Sequence, residues 1–396
     1  MEKATRNQTR EHNRNLALKI LFQHPTTSRA EIARMTRLTP TTVSDIVAEL
    51  LNEGLVSEMG TGSSLGGKSP ILLGLVEDAR WMVGLDLAHN QFSGAVVNLR
   101  GKIRDRITLP VEGRNGDDAL ALVYEILDRL IANAGQPLLG IGVGTPGLVN
   151  ASEGVVLHAV NLDWINLPLE QLLVARYRLP VSVLNDSQAA AIGEYTYGRG
   201  HHQEDNLVVI NVRHGIGAGI VVHGKIFHGD GGSAGEIGHM PVVPEGGELC
   251  RCGNRGCLET VASAQALVRR VRALEARGNE PAGPVTLESI ERAYREGDPQ
   301  VRRAVLEAGR YLGIAISSLV GILNIQEIVL SGDMTRFGEP WVKEIRRSME
   351  ANALAGTAAG THLETGQLGE NGIILGASAV LANNYALLFN RQPAAD

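Results

Sequence analysis

Two series of short apolar strands constrain the fold of this 396-residue chain more than any other feature of its sequence. Each series reads as consecutive strands, and the first continues into an amphipathic helix and a further buried strand. This βββαβ order is typical of an α/β lobe. Two related lobes would leave a cleft between them, which is the usual place for a small ligand. The first series comprises strands at 82–87, 93–97 and 103–109, a helix at 117–132 and a strand at 138–143; the second begins with strands at 207–212 and 217–222.

The composition is that of an ordinary folded protein, with 44% apolar and 20% charged residues. Aromatic residues make up only 4%, which argues against nucleic-acid binding by base stacking. The uncharged apolar stretch at residues 311–326 is shorter than the ~20 residues that a membrane span needs, so we expect a buried helix there. The polar first ten residues lack the apolar core of a signal peptide. We therefore expect a cytoplasmic protein.

The amino-terminal segment has a different pattern, a pair of short capped helices on a basic background. Residues 1–40 hold eight Lys or Arg against three Asp or Glu, although the whole chain has a net charge of −6. Ser28 and Glu31 have the spacing of a capping box, and the helix that they begin should end near Arg37. Thr39 and Pro40 are a typical start for a second helix. That helix should bury an apolar stripe made of Val43, Ile46, Val47, Leu50 and Leu51.

A glycine-rich loop between two probable strands follows this helix pair. Two helices with a tight turn, followed by a strand pair at 56–59 and 71–75, predict a winged helix-turn-helix that reads the major groove of DNA. The alternative is a helical hairpin that belongs to a bundle. We expect this DNA-binding domain to span residues 1–78 and the second domain to span residues 79–396. The residues predicted to face DNA are Arg37, Thr41, Thr42, Ser44 and, in the wing, Lys68.

All three cysteines lie within eight residues, at Cys250, Cys252 and Cys257. An odd number of cysteines in a cytoplasmic protein excludes a disulfide framework. Three thiolates in a glycine-rich knuckle need a fourth ligand to complete a tetrahedral zinc site, and His239 lies a short loop upstream. The chain has eleven histidines, so the fourth ligand stays open from spacing alone. We predict a structural zinc knuckle at 239–257; three incidental buried cysteines are the alternative.

Polar residues beside this knuckle predict a ligand rich in hydroxyl groups. Glu236 and His239 are three residues apart, Glu259 follows the last cysteine closely, and Asn185 and Asp186 end a probable strand. Carboxylates and amides around a cleft can accept hydrogen bonds from sugar hydroxyls and donate to them. Each acid alone could equally be a surface residue, so the prediction depends on their convergence.

The chain resembles the ROK family, which contains repressors, open reading frames and sugar kinases, and within it the sugar-responsive repressor branch that includes the xylose-operon repressors. The resemblance runs from about residue 13 to about residue 384. The motifs that carry it are Gly-Glu-Ile-Gly-His at 235–239, Cys-x-Cys-Gly-x-x-Gly-Cys-x-Glu at 250–259, Gly-Val-Gly-Thr-Pro-Gly at 142–147, Asn-Leu-x-Trp at 161–164 and Asn-Asp-x-x-Ala-Ala-Ala-x-Gly-Glu at 185–194.

The resemblance implies a winged helix-turn-helix followed by the two-lobed actin-like, ribonuclease-H-like fold. It implies that His239, Cys250, Cys252 and Cys257 hold zinc. It places Asp186 at the position of the kinases' general base, which takes the proton of the attacking sugar hydroxyl. The residues that it implies for sugar contact are Asn161, Asn185, Asp186, Glu236, His239 and Glu259.

Three departures from the kinase pattern argue against ATP binding. Family kinases follow the first strand aspartate with a Gly-Gly-Thr turn, whereas Asp86 is followed here by Leu-Ala-His-Asn. The second phosphate turn, Gly-Thr-Gly in kinases, is Arg-His-Gly at 213–215, and a paired glycine near the adenosine site is Gly332-Asp333. Side chains at these turns would crowd a nucleotide. Phosphoryl transfer depends on positioning and charge stabilisation, so we expect no enzymatic activity even with Asp186 present.

The sequence therefore predicts a sugar-responsive transcriptional repressor that binds double-stranded operator DNA as a homodimer or a dimer of dimers. Sugar in the cleft would favour one closure of the lobes and weaken operator binding. Xylose is the first candidate effector, with glucose or N-acetylglucosamine next. The alternatives are an ATP-dependent sugar kinase with a DNA-binding head, and a repressor that a protein partner removes from DNA.

Overall fold

A computed structural model describes residues 6–63, 69–198, 205–276 and 284–389. The chain divides into two compact units, each assembled from separate stretches of sequence. Unit 1 comprises residues 1–143, 168–183 and 377–396, and unit 2 comprises residues 144–167 and 184–376. The boundary expected at residues 78 and 79 therefore falls inside unit 1, and the division into two domains there stays a prediction.

The amino-terminal part of unit 1 contains three helices and a small sheet. The helices are α1 (Arg6–Gln23), α2 (Arg29–Thr36) and α3 (Pro40–Asn52). The sheet has the order β1-β3-β2 and is antiparallel, with strands β1 (Thr27–Ser28), β2 (Val56–Thr61) and β3 (Ile71–Leu75). The predicted helix pair and both wing strands are confirmed, whereas α1 was not predicted. The wing tip, with Lys68, lies outside the described residues.

Side-chain caps fix the ends of the helix pair as the sequence predicts. The Ser28 hydroxyl accepts a hydrogen bond from the Glu31 N–H at 3.2 Å, and the Glu31 carboxylate accepts from the Ser28 N–H at 2.9 Å. Helix α2 ends at Arg37, whose φ of +57° stops the helix. The Thr39 hydroxyl caps α3. Val43, Ile46, Val47 and Leu50 are buried as predicted; Leu51 was predicted to be buried as well, but it is only half-buried because it lies at the margin of the apolar stripe.

A five-stranded sheet with the order β11-β7-β4-β5-β6 forms the centre of the rest of unit 1. Strands β4, β5 and β6 pair antiparallel in sequence order, and β4 is central. The predicted strands and helix are confirmed to within about two residues at each end. The elements are β4 (Trp81–Leu87), β5 (Gln91–Asn98), β6 (Ile103–Pro110), α4 (Gly116–Asn133), β7 (Leu138–Thr145), α5 (Leu169–Tyr177), β11 (Val181–Asn185), α13 (Gly372–Asn383) and α14 (Tyr385–Leu388).

Unit 2 repeats this strand order in a sheet β14-β13-β12-β15-β16. Strands β12, β13 and β14 pair antiparallel, and β15 and β16 continue parallel to β12. The repeated order confirms two related α/β lobes. The strands of this sheet are β12 (Leu207–Val212), β13 (Ile216–Val222), β14 (Lys225–Ile226), β15 (Glu327–Ser331) and β16 (His362–Thr365). Its helices are α6 (Asp186–Tyr197), α7 (Glu259–Ala262), α8 (Ala264–Glu275), α9 (Leu287–Glu296), α10 (Pro299–Leu323), α11 (Gly338–Asn352) and α12 (Ala355–Ala358). A separate small sheet holds β8 (Leu148–Asn150), β9 (Val155–Ala159) and β10 (Trp164–Leu167).

The long helix α10 is the core helix of unit 2. By length and composition alone it could cross a membrane, but more than half of its most apolar stretch is buried inside the protein. It buries twelve of its residues, among them Leu312 and Ile316, and packs against α11. The expected buried helix over residues 311–326 is thus the second half of α10. It ends earlier than predicted, at Leu323, because Asn324 adopts a φ of +49°.

Candidate metal centre and sugar-binding site

A compact knuckle in unit 2 brings the three cysteines together. The Cys250 N–H donates to the Asn254 carbonyl at 2.7 Å, and the Gly253 N–H donates back to the Cys250 carbonyl at 2.9 Å. Gly256 has a φ of +70°, and a Cβ there would lie 1.8 Å from the Val243 carbonyl oxygen, so only glycine fits. An isolated bridge pairs Pro241 with Cys257, and this contact fastens the start of the 241–248 loop to the knuckle.

One ligand atom from each of His239, Cys250, Cys252 and Cys257 lies within 4.8 Å of the others. The Cys252 and Cys257 sulfurs are 3.7 Å apart, and the Cys250 sulfur is 3.6 Å from His239 Nδ1. In a tetrahedron with Zn–S bonds of about 2.3 Å and a Zn–N bond of about 2.0 Å, these edges would measure about 3.8 and 3.5 Å. The four side chains therefore fit a closed zinc site.

The second nitrogen of His239 links this knuckle to a carboxylate. His239 Nε2 lies 3.8 Å from Glu236 Oε2, on the side of the ring opposite the cysteines. A metal-bound histidine commonly directs its other nitrogen at a carboxylate or carbonyl, which fixes the ring's orientation. Glu236 precedes the short 3-10 turn Ile237–His239 and His239 is its last residue, as their spacing predicts.

Gly235 fixes the position of Glu236 at the edge of the sheet. Its φ is +96°, and a Cβ there would lie 1.8 Å from the Ala218 carbonyl oxygen on β13. The Ala218 N–H donates to the Gly235 carbonyl at 2.8 Å, which holds the loop against that strand. A residue with a side chain at position 235 would push the loop, and Glu236 with it, away from the sheet.

All six residues implied for sugar contact lie in unit 2, and five of them form one electrostatic cluster. Burial raises the pKa of Glu236 to about 7, and the charges of Asp186 and Glu259 add to this effect. Asp186 and Glu259 therefore lie close enough to Glu236 for their charges to act on its carboxylate. Asn161 joins the cluster through Arg251, and His239 joins it through Glu236.

Asn185 has a different contact set from the other five. Its side-chain oxygen accepts from the backbone N–H groups of Ser187 and Gln188, so it is the N-cap of α6. Its side-chain nitrogen donates to the Gly147 carbonyl at 2.9 Å. Asp186 follows as the first residue of the helix, so the cap fixes the direction in which the Asp186 backbone leaves the strand.

Arg251 is the residue of this site that the sequence analysis missed. Its guanidinium donates to Asn161 Oδ1 at 3.0 Å. It also makes a two-point contact with the buried Glu259 carboxylate, with N–O distances of 3.0 and 3.1 Å. Its position between two cysteines was the available signal, because a knuckle that holds a metal also fixes the side chain between its ligands. Arg251 thereby joins the candidate metal centre to two of the residues implied for sugar contact.

The residues predicted to face DNA are grouped on the helix pair of unit 1. Arg37, Thr41 and Ser44 are exposed. Thr42 is half-buried, and its N–H and hydroxyl are both bonded to the Thr39 hydroxyl, at 3.2 and 2.8 Å. Thr42 therefore contributes to the cap of α3. Lys68 lies outside the described residues.

Comparisons with known proteins agree with both parts of this structure. The ROK family model matches residues 82–384, and a winged helix-turn-helix DNA-binding model matches residues 11–57. The xylose repressor of Caldicellulosiruptor bescii is 31% identical over 384 residues, which cover 94% of this chain and 96% of the repressor. A glucokinase of Halalkalibacterium halodurans is 34% identical over 309 residues, or 75% of this chain and 93% of the kinase.

A solved structure extends the likeness over both parts of the chain. The crystal structure of a ROK family transcriptional regulator, a homolog of the Escherichia coli MLC protein, superposes with a TM-score of 0.81 and 28% identity, covering 96% of this chain and 97% of that one. The predicted fold, a winged helix-turn-helix followed by the actin-like ROK fold, is confirmed. The chain belongs to the ROK family and carries an amino-terminal winged helix-turn-helix.

Proposed function

We propose that this protein is a sugar-responsive transcriptional repressor. The observation that carries the proposal is the joining of a winged helix-turn-helix, at residues 11–57, to a ROK region whose polar cluster suits a sugar. The DNA-binding domain would comprise residues 1–78 and the sensor residues 79–396. The likeness over nearly the whole chain to named xylose repressors and to a ROK family transcriptional regulator supports this function.

The polar cluster of unit 2 would bind a monosaccharide. Glu236, Glu259 and Asp186 would accept hydrogen bonds from the sugar hydroxyls, with Asn161, Asn185 and His239 completing the site. Buried groups that pair with hydroxyls discriminate strongly between sugars, because a sugar that lacks one hydroxyl leaves a group unpaired. Xylose is the first candidate, since the repressor relative is named for it, and glucose or N-acetylglucosamine follow.

A zinc ion at His239, Cys250, Cys252 and Cys257 would serve structure. Four protein ligands leave no open position for a catalytic water, and the donor set of three sulfurs and one nitrogen suits zinc. The ion would hold the knuckle rigid, so that Arg251 keeps Glu259 and Asn161 in place.

The glucokinase relative favours a second, catalytic function. The residues of unit 2 that stand in place of the kinase glycine turns argue against that function. The kinase glycine turns correspond here to residues 213–215 and 332–333. Arg213 lies 4.0 Å from the Asp333 carboxylate, so an ion pair joins the two turns. A carboxylate and an arginine side chain would occupy space that a nucleotide needs, which supports a protein that binds sugar without phosphorylating it.

Sugar binding would weaken operator binding by linkage. A hundredfold loss of DNA affinity needs about 2.7 kcal/mol of coupling between the two sites, which is within the usual range. The protein would act in the cytoplasm as a homodimer or a dimer of dimers, and the two DNA-binding domains of a dimer would read a palindromic operator.

The test measures three activities on the purified protein. Calorimetry against xylose, glucose and N-acetylglucosamine should give heat with one of them, and that sugar should release the protein from operator DNA. ADP release with ATP, magnesium and the same sugar should stay at background; turnover that Asp186→Asn abolishes would favour the kinase. No heat with any free sugar would favour control by a protein partner.

The DNA-binding half is tested by a double variant, Thr41→Ala with Ser44→Ala. Both side chains are exposed on α3, so their loss should leave folding and sugar affinity intact. We expect at least a tenfold loss of discrimination between operator and random DNA, because each base contact contributes about 1–3 kcal/mol. An unchanged footprint would show that another surface reads the DNA.

A further inference from the structure

A groove of about 770 Å³ lies in unit 2, lined by residues that belong neither to the knuckle nor to the polar cluster. Its main wall is the first half of α10, and α11 contributes Glu344. Arg303, Leu306 and Arg310 are spaced at i, i+3 and i+7, so they lie on one face of the helix, and Arg302 lies beside them. One helix face therefore presents three arginines and one leucine to the groove.

The two carboxylates that line the groove are already paired with arginines from elsewhere. Glu307 pairs with Arg270, and Glu344 accepts two hydrogen bonds from Arg347, at 2.6 and 3.0 Å. Neither carboxylate therefore neutralises the arginines of the helix face.

The three groove arginines keep their guanidinium groups free of carboxylates. Arg310 lies 4.5 Å from the centre of the Tyr311 ring, and Arg302 lies 5.8 Å from the centre of the Tyr294 ring. Within the described part of the chain, no ion pair joins Arg302, Arg303 or Arg310 to an acidic residue. Ring contacts orient a guanidinium without using its N–H donors. The groove thus presents three guanidinium groups that have no carboxylate partner in the described part of the chain.

We propose that this groove binds a small phosphorylated metabolite, such as a sugar phosphate, at a second site separate from the sugar site. The planar guanidinium fork matches phosphate oxygens in a two-point contact, and a phosphate monoester carries nearly two negative charges near neutral pH. The volume lies within the ~300–1,000 Å³ of small-molecule sites. Leu306 gives the carbon skeleton of the ligand an apolar contact. The proposal does not depend on the identity of the sugar effector.

The test titrates the whole protein with two probes, inorganic pyrophosphate, which has no sugar to occupy the sugar site, and glucose 6-phosphate. We expect both to bind the wild-type protein, and glucose 6-phosphate to bind more tightly because it adds the contact with Leu306. The double variant Arg303→Ala with Arg310→Ala should weaken both at least tenfold. Arg129→Ala, which removes an exposed arginine paired with Glu125 in unit 1, is the charge-matched control and should change neither.

A third variant keeps the test independent of folding, since Arg310 packs on Tyr311. Arg303 is exposed, so Arg303→Gln should fold normally and still weaken both probes severalfold, with Arg303→Lys in between. Absence of heat with both probes, or equal affinities in wild type and double variant, would overturn the proposal. So would a double variant that loses DNA affinity but keeps probe affinity, because the groove would then be a DNA contact.

Discussion

Arg251 shows how one side chain connects the metal knuckle to the residues implied for sugar contact. Both motifs that Arg251 joins were identified from the sequence, but its partners Asn161 and Glu259 are 90 and 8 residues away along the chain. Periodicity and spacing report only neighbours in sequence, so no local pattern predicts the contact with Asn161. The knuckle itself was predictable, because all four ligand residues lie within 19 residues, at 239–257.

Removing Arg251 should weaken sugar binding. A hydrogen bond to a charged group contributes about 1.5–3 kcal/mol, and the partial exposure of Arg251 lowers this contribution. We therefore expect Arg251→Ala to weaken sugar affinity about five- to tenfold. Arg255→Ala is the matched control from the same knuckle, since the Arg255 guanidinium donates to the Gly247 carbonyl at 3.4 Å and to neither Asn161 nor Glu259. Calorimetry should find the control unchanged; equal losses in both variants would mean that general loss of charge is responsible.

Replacing Cys252 tests the metal centre directly. Metal affinity depends on all four ligands, so Cys252→Ser should release the ion, lower sugar affinity and lower the thermal midpoint by roughly 5 °C or more. Asn254→Ala, an exposed position in the same loop, is the control. Elemental analysis should find about one zinc per wild-type and control chain. A wild-type protein without zinc would contradict the assignment.

At the scale of elements, the strength of the local pattern decided what could be predicted. The strands of the first lobe, the first two strands of the second lobe and helix α3 were predicted to within about two residues, because each has a clear apolar period and an end signal. Strands β14, β15 and β16 were not predicted. Helix α1 was missed because its first half is polar and its buried residues begin only at Ala17. Tertiary packing of its last two turns stabilises it, and the sequence pattern alone does not reveal that packing.

The capping box of α2 should contribute measurably to stability, and with a defined pH dependence. Ser28→Ala removes the side-chain acceptor of the Glu31 N–H and should cost about 1 kcal/mol, as is typical of N-cap losses. Hydrogen bonds from the Ser28 N–H and hydroxyl lower the pKa of Glu31. The stabilisation by Glu31 is therefore present in full above the ordinary glutamate pKa and is lost as the pH falls through the lowered value.

The Glu31→Gln variant isolates this pH dependence. Thermal unfolding should find it less stable than wild type at pH 6, where wild-type Glu31 is charged. The difference should shrink towards pH 3, where Glu31 becomes protonated. A difference that grows as the pH falls would contradict the capping role.

At the scale of the molecule, the DNA-binding part shares one apolar core with the rest of unit 1. Leu18 and Leu21 of α1 belong to the same buried cluster as Met82, Leu99 and the carboxy-terminal Leu388. Polar contacts reinforce this connection.

Those contacts come from three arginines. The Arg100 guanidinium donates to the carbonyls of Leu21 and Phe22 at the end of α1, and Arg14 lies 3.6 Å from the centre of the Phe389 ring. Arg80 donates to the Leu388 carbonyl at 3.0 and 3.2 Å. The amino-terminal helices and the chain's carboxy-terminal turn are therefore one packed body, a long-range arrangement that sequence patterns do not predict.

This shared core predicts that Leu388, far from the recognition helix in sequence, affects DNA binding. Leu388 is fully buried, so Leu388→Ala should cost about 2–5 kcal/mol of stability. The cavity would loosen α14, and through it Arg80 and α1. DNA affinity should then be reduced even at temperatures well below the melting temperature, where the variant is still folded. The reason is that a less ordered DNA-binding domain loses more entropy on binding. Sugar affinity should stay unchanged, since the sugar cluster lies in unit 2.

Leu354→Ala is the control for this experiment, because Leu354 is 76% exposed in unit 2 and its loss should change stability by less than about 0.5 kcal/mol. Operator affinity is measured by fluorescence anisotropy at about 20 °C below the midpoint of thermal unfolding of each variant, where nearly all molecules are folded. If Leu388→Ala lowers the melting temperature but leaves operator affinity at the control value, the shared core stabilises the head without orienting it. If both fall together, the core also sets the geometry with which α3 meets DNA.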